Sequence, residues 1–212
     1  NQDELNIIFK FKDEFKDVEQ LPILQLPAAI RTQDPNLKFT PHYKIKKDNF
    51  IIQIGPNVFS LTNIKEYCGW KIFSKKIYDT YNKLSELNLI QKQFRTALRY
   101  INILPDINIF EKTNLGIHLN KEKLGENQIN LTTEIPYEHG SSNLKLINFA
   151  EAIFEKQPIK GSIVDIDTHF QHDEFENFQE AVECAHTAEK KLFFRLLEKE
   201  FLKTLNPVYK GK

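Results

Sequence analysis

Residues 43–61 read Tyr43-Lys44-Ile45-Lys46-Lys47-Asp48-Asn49-Phe50-Ile51-Ile52-Gln53-Ile54-Gly55-Pro56-Asn57-Val58-Phe59-Ser60-Leu61. Three runs rich in β-branched and aromatic residues are separated by Lys47-Asp48-Asn49 and Gly55-Pro56-Asn57. Asp, Asn and Gly at such places accept the backbone angles of a tight reversal. A tight reversal pairs neighbouring strands antiparallel, so the stretch predicts two consecutive hairpins.

Upstream, Leu5, Ile7, Phe9 and Phe11 alternate with other residues, which predicts an opening strand. Pro22, Pro27, Pro35 and Pro41 then leave room only for a short helix or covering loop. Downstream, Trp70, Phe73, Ile77, Tyr81 and Leu84 recur every three or four residues, predicting an amphipathic helix over Trp70 to Leu87. Arg95 to Leu104 reads as a strand ended by Pro105-Asp106. In the second half, Gln128 to Ile135, Leu144 to Phe149 and Ser162 to Phe170 read as strands. Glu174 to Leu205 reads as one long or broken helix, stopped by Asn206-Pro207, with Phe178, Val182, Ala185, Leu192 and Leu196 on its inner face.

Hairpin-linked strands with helices that need an apolar surface imply an α+β fold. The expectation is antiparallel sheet(s) packed on two long amphipathic helices, a loose internal duplication of a strands-then-helix unit. The halves are residues 1–110 and 111–212, fused in one globular domain, with Glu111 to Asn127 as the connection.

The chain has 212 residues, with 29 Lys+Arg against 29 Asp+Glu. Zero formal net charge supplies no global attraction to nucleic acid or an anionic membrane. No run approaches the length of a spanning helix, and the acidic start Asn1-Gln2-Asp3-Glu4 is unlike a signal peptide. Two distant cysteines, Cys68 and Cys184, are expected as free thiols in a reducing cytoplasm.

On a strand, Asp165, Asp167 and His169 share one face and Val164, Ile166, Thr168 and Phe170 the other. Two carboxylates and an imidazole could bind a divalent cation, with His172, Asp173 or His186 completing the shell; equally, they are what the wet face of a half-buried strand looks like. Glu183 and His186 stand three apart on the last helix, without the second such pair that a di-iron site needs. Arg99 falls on one face of its strand and Tyr100 with Asn102 on the other. A buried Arg or Asn needs a partner, and Asp165 or Asp167 suits. These residues make either a structural polar pairing or a ligand contact. Cys184 and His186 do not face one another, Gly140-Ser141-Ser142-Asn143 reads as a turn rather than a nucleophile elbow, and no phosphate-binding Gly-rich loop or other cofactor motif is present.

Tyr67-Cys68-Gly69-Trp70 with Phe73, Leu98-Arg99-Tyr100-Ile101-Asn102, and Val164-Asp165-Ile166-Asp167 before a helix with His186 and Phe193-Phe194 resemble, in that order, a sporadically distributed bacterial family of uncharacterised cytoplasmic proteins known only by a number. Relatives tend to carry Pro where this chain has Cys68. The resemblance implies a bacterial cytoplasmic protein, and its patchy distribution associates it with defence or toxin–antitoxin loci.

The expected function is therefore a non-catalytic binding or regulatory protein whose partner is another protein, with exposed sheet edges suiting a homodimer. The alternatives are a metal-dependent hydrolase-like enzyme centred on Asp165, Asp167 and His169, and a nucleic-acid-binding module using Lys pairs such as Lys75-Lys76.

Overall fold

A computed structural model describes residues 2–64, 66–93, 95–154, 157–170, 175 and 177–205. The architecture is α+β with antiparallel sheets. Two compact units divide the chain at Lys92/Gln93.

In the first unit the order is α1 (Gln2–Phe11), β1 (Asp17–Gln20), α2 (Ala28–Gln33), β2 (Tyr43–Lys47), β3 (Phe50–Gly55), β4 (Val58–Asn63) and α3 (Trp70–Ser85). The sheet is the meander β1-β2-β3-β4, and the two predicted hairpins are its β2–β3 and β3–β4 pairs. Asp48 takes φ 50°, the left-handed geometry its turn requires. Ile45, Ile52 and Ile54 are wholly buried under Ile7, Phe11, Phe15 and Leu84.

The opening segment corrects the sequence expectation, because residues 5–11 belong to a helix. Leu5, Ile7, Phe9 and Phe11 alternate, but only Ile7 and Phe11, spaced by four, are buried; Leu5 and Phe9, also spaced by four, face out. Asp3 and Glu4 in the first turn and Lys10 in the last complement the helix dipole. Glu4 completes the inner stripe, and its Oε1 lies 2.6 Å from Nδ1 of His42, both side chains buried.

The second unit holds β5 (Thr96–Pro105), the two-residue strands β6 (His118–Leu119) and β7 (Glu122–Lys123), β8 (Asn130–Tyr137), β9 (Gly140–Phe154), β10 (Gln157–Phe170), α4 (Phe178–Leu196) and α5 (Lys199–Thr204). Its main sheet is ordered β5-β10-β9-β8, all antiparallel. Strand β5, placed in the first half by the sequence, thus pairs with the last strand of this unit. The Gly140-Ser141-Ser142-Asn143 stretch opens β9 instead of forming a turn; the reversal lies just before it, at Glu138-His139.

Leu144, Leu146, Val164 and Ile166 form the sheet's inner face and pack on Leu192 and Leu196 of α4. The helix begins where the Asn177 side chain accepts a hydrogen bond from the Glu180 amide at 2.9 Å. It ends because residues 112–114 draw Leu197 into extended backbone: Glu198 N–H donates to the Lys112 carbonyl at 2.9 Å and Asn114 N–H to that of Leu196 at 2.8 Å. The expected stop at Asn206-Pro207 lies outside the described residues.

Two buried side chains tie the connection between β5 and β8 to the sheet. Ser162 Oγ donates to the Ile107 carbonyl at 2.6 Å and accepts from the Ile109 amide at 2.9 Å. Asn148 Oδ1 accepts from the Ile129 amide at 2.6 Å, while its Nδ2 donates to the Asn127 carbonyl at 2.8 Å. Beside them the β9–β10 register shifts: Ala150 pairs with Gly161 and Ile147 with Ile163, so Asn148 and Phe149 together oppose Ser162. Phe149 adopts φ 50°, a conformation costly for an aromatic residue. Among the described residues, no helix is long and apolar enough to cross a membrane.

Candidate functional site

The β5-β10-β9-β8 sheet turns one face to α4 and the other away from it. Register decides which residues share the outer face: Arg99 stands opposite Asp167, Asp167 opposite Asn143, and Asn143 opposite Glu134. One step along are Ile101, Asp165, Lys145 and Thr132; one step the other way are Ala97, His169, Ser141 and Pro136. All three candidate residues of β10, Asp165, Asp167 and His169, therefore sit on this polar surface. Val164, Ile166, Thr168 and Phe170 on the inner face are at most 1% exposed.

Most of the polar groups answer one another, while Asp167 Oδ1 and His169 Nδ1 are buried without a hydrogen-bond partner among the described residues. Arg99 reaches diagonally and grips Asp165 with both arms, Nε to Oδ1 at 2.8 Å and Nη2 to Oδ2 at 2.6 Å. This fork-on-carboxylate geometry is the strongest form of a protein ion pair. Hydrogen bonding to Asp165 raises the Arg99 guanidinium above its ordinary range; burial opposes that, and the charges of Asp165 and Asp167 add to it. Arg95, just before β5, donates to Asp167, Nη2 to Oδ2 at 2.7 Å. Further along, the Ser141 hydroxyl bonds Glu134 and lies 3.0 Å from Nε2 of His169. Ser141 has one proton. Donating it to the Glu134 carboxylate leaves the serine oxygen to accept from His169 Nε2–H, so imidazole, hydroxyl and carboxylate run in series with the serine in the middle. A nucleophilic serine needs the reverse, with histidine between serine and acid.

Tyr100 and Asn102 occupy the other face. The Tyr100 hydroxyl is 3.5 Å from Nδ1 of His186 on α4, their rings 6.1 Å apart, and Asn102 Nδ2 is 3.5 Å from the Val164 carbonyl. Both polar distances are at the outer limit of hydrogen bonding. Burial lowers the His186 pKa, Glu183 opposes that and Lys190 reinforces it, so the imidazole stays neutral at pH 7.

The sheet thus lies between His186 and the group Asp165, Asp167 and His169, and those four cannot share one ion. Among the described residues no three His, Cys, Asp or Glu side chains cluster to hold a metal. His172 and Asp173 lie outside the described residues. Arg95 and Arg99 also take both oxygens of Asp165 and one of Asp167, and place positive charge where a cation would have to sit.

Burial raises the Cys184 thiol pKa, with Glu138 and Glu180 adding to it, so the thiol stays protonated. A second polar cluster lies in the first unit, where Glu14 sits between Lys76 and Lys83, the latter at 2.7 Å. Burial works to raise the Glu14 carboxyl, but hydrogen bonds from the two ammonium groups outweigh it and hold the carboxyl below its ordinary value.

Arg95, Ser141 and Glu134 were not singled out by the sequence. Arg95 could have been, as the residue four before Arg99 on an alternating strand. Ser141 could have been too, since it keeps phase with Asn143 and Lys145 against the apolar Leu144 and Leu146. No protein-family model, curated protein or solved structure matches this chain.

Proposed function

We propose that this is a non-catalytic binding or regulatory protein that acts through contacts with another protein, as an accessory component of a bacterial defence or toxin–antitoxin locus in the cytoplasm. The observation that supports this is how far the outer face is internally paired: Arg99 with Asp165, Arg95 with one oxygen of Asp167, and Ser141 between Glu134 and His169, which leaves Asp167 Oδ1 and His169 Nδ1 buried without a hydrogen-bond partner among the described residues. Groups spent on one another are not poised as acid, base or nucleophile. Large apolar side chains, by contrast, stand in solvent, among them Phe9, Phe39, Ile72, Ile101 and Leu119, each more than half exposed. The genomic setting and cellular location rest on the family resemblance carried by Leu98-Arg99-Tyr100-Ile101-Asn102 and its companion motifs.

We read the two units as a loose duplication of strands followed by a long helix, α3 or α4, although α1 precedes the strands of the first. Their sheets are nonetheless strung differently, β1-β2-β3-β4 against β5-β10-β9-β8.

The test is tagged expression in the native host with in-cell cross-linking and quantitative mass spectrometry. One protein recovered near one-to-one, and lost on Phe9→Lys or Leu119→Lys, supports the role. Reproducible recovery of none, or turnover of a phosphoester that disappears in Asp167→Ala, removes it.

A further inference from the structure

Sheet edges offer unpaired backbone groups to any strand that approaches, and proteins normally blunt them with short length, proline, bulges or outward charge. Three of the four edges of the two main sheets are so limited. Strand β1 has four residues with Asp17 and Glu19 among them, β4 has six residues, and β8 carries Glu134 and Pro136. Strand β5 is different. It has ten residues, no proline before its last, no lysine, and an unbroken one-to-one register with β10 from Thr96 to Pro105. Among the described residues no strand pairs with its outer side. Its one charged residue, Arg99, is turned back across β10 onto Asp165, so it neither projects past the edge nor leaves a net charge there.

We propose that β5 pairs antiparallel with β5 of a second copy of this chain, about a two-fold axis at Ile101, joining two four-stranded sheets into one of eight. Strand β5 is its own complement in this register. Leu98 faces Leu104 of the copy, Tyr100 faces Asn102, Arg99 faces Ile103, and Ile101 faces Ile101. On the inner face Leu98 meets Leu104 and the Tyr100 ring meets the Asn102 amide, and no like charges are opposed. Ile101, 56% exposed, is the most exposed large apolar residue of the strand, and on the axis it packs against itself. A strand from an unrelated acidic partner would find Arg99 already neutralised. The pairing does not depend on the binding role proposed above.

Light scattering of the full chain over a range of concentrations is expected to converge on twice the 25.0 kDa chain mass. Ile101→Lys, at an exposed position, puts two like charges on the axis and should return the mass to that of one chain with an unchanged far-UV circular dichroism spectrum. Ile101→Cys with both native cysteines changed to serine should give a covalent dimer with a short bismaleimide, while Cys at Thr132, on the outer face of β8, should not. A single-chain mass at every concentration overturns the proposal. So does a dimer that survives Ile101→Lys without cross-linking through position 101, and so does protection of β5 amides from exchange only when a different protein is added.

Discussion

Glu189→Gln should stabilise the second unit at neutral pH and leave it unchanged in acid. Glu189 lies on α4 amid the buried stripe Ala181, Val182, Ala185, Leu192 and Leu196, and is itself only 5% exposed. The facing inner surfaces of β5 and β10 present Leu98, Tyr100, Asn102, Val164, Ile166 and Thr168, none of them cationic. The neighbouring turns of α4 bring His186, neutral at pH 7, and Lys190 on the outer side. Burial alone pushes the Glu189 carboxyl from 4.5 up to about 8. The native state therefore holds a proton that the unfolded chain releases near 4.5. Between those values the folded form binds more protons, so stability falls as pH rises, by about 1.4 kcal/mol per unit. At pH 7 the accumulated cost is about 3 kcal/mol, approaching about 5 kcal/mol above pH 8. Glutamine keeps the shape and the buried dipole but cannot ionise, so the variant should gain about 2–3 kcal/mol at pH 7 and almost nothing at pH 4. Hydrogen exchange of α4 and β10 peptides across urea series reads this unit specifically. If the stability curves of parent and variant run parallel from pH 4.5 to 8, Glu189 is not a buried neutral acid and the reasoning fails.

Ser162→Ala should cost about 2–4 kcal/mol in the same assay, because it strands the buried Ile107 carbonyl and Ile109 amide together. Arg99→Ala should cost about 1–2 kcal/mol by leaving the mostly buried Asp165 unanswered, and Arg95→Ala less than about 1 kcal/mol; equal losses would contradict the difference in geometry. Cys184 should react with iodoacetamide at pH 7 several-fold more slowly than a free cysteine, as peptide mass spectrometry would show, since burial and two nearby carboxylates raise its pKa. Added Mg²⁺ or Zn²⁺ should leave the thermal midpoint of the second unit unshifted, because guanidinium groups hold both oxygens of Asp165 and one of Asp167 and repel a cation there.

The hairpins and α3 were legible because each rests on local rules: turn residues between β-rich runs, and a stripe at helical spacing. The opening segment was not, because Leu5-Asn6-Ile7-Ile8-Phe9-Lys10-Phe11 satisfies periods of two and four alike. Packing of Ile7, Phe11 and Glu4 beneath the sheet decides between them. The side-by-side placement of Asp165, Asp167 and His169 follows from strand alternation, yet Arg95 and Arg99 reach the two carboxylates only through β5–β10 pairing across some seventy residues of chain, a long-range fact no local window contains. Glu189 left a trace: the inner positions expected on α4 skip from Ala185 to Leu192, and a buried acid fills the gap where apolar patterning predicts none.

The extra residue at Phe149 divides β9 into two counting frames. Up to Ile147 the odd-numbered residues point away from α4, whereas past the bulge the even-numbered Ala150, paired with Gly161, takes that side. Anyone transferring substitutions between stretches of this strand by simple parity would swap inside for outside halfway along. Deleting that single aromatic residue would restore uniform counting, at the expense of moving Asn148 off the backbone groups of Asn127 and Ile129 that it holds in place.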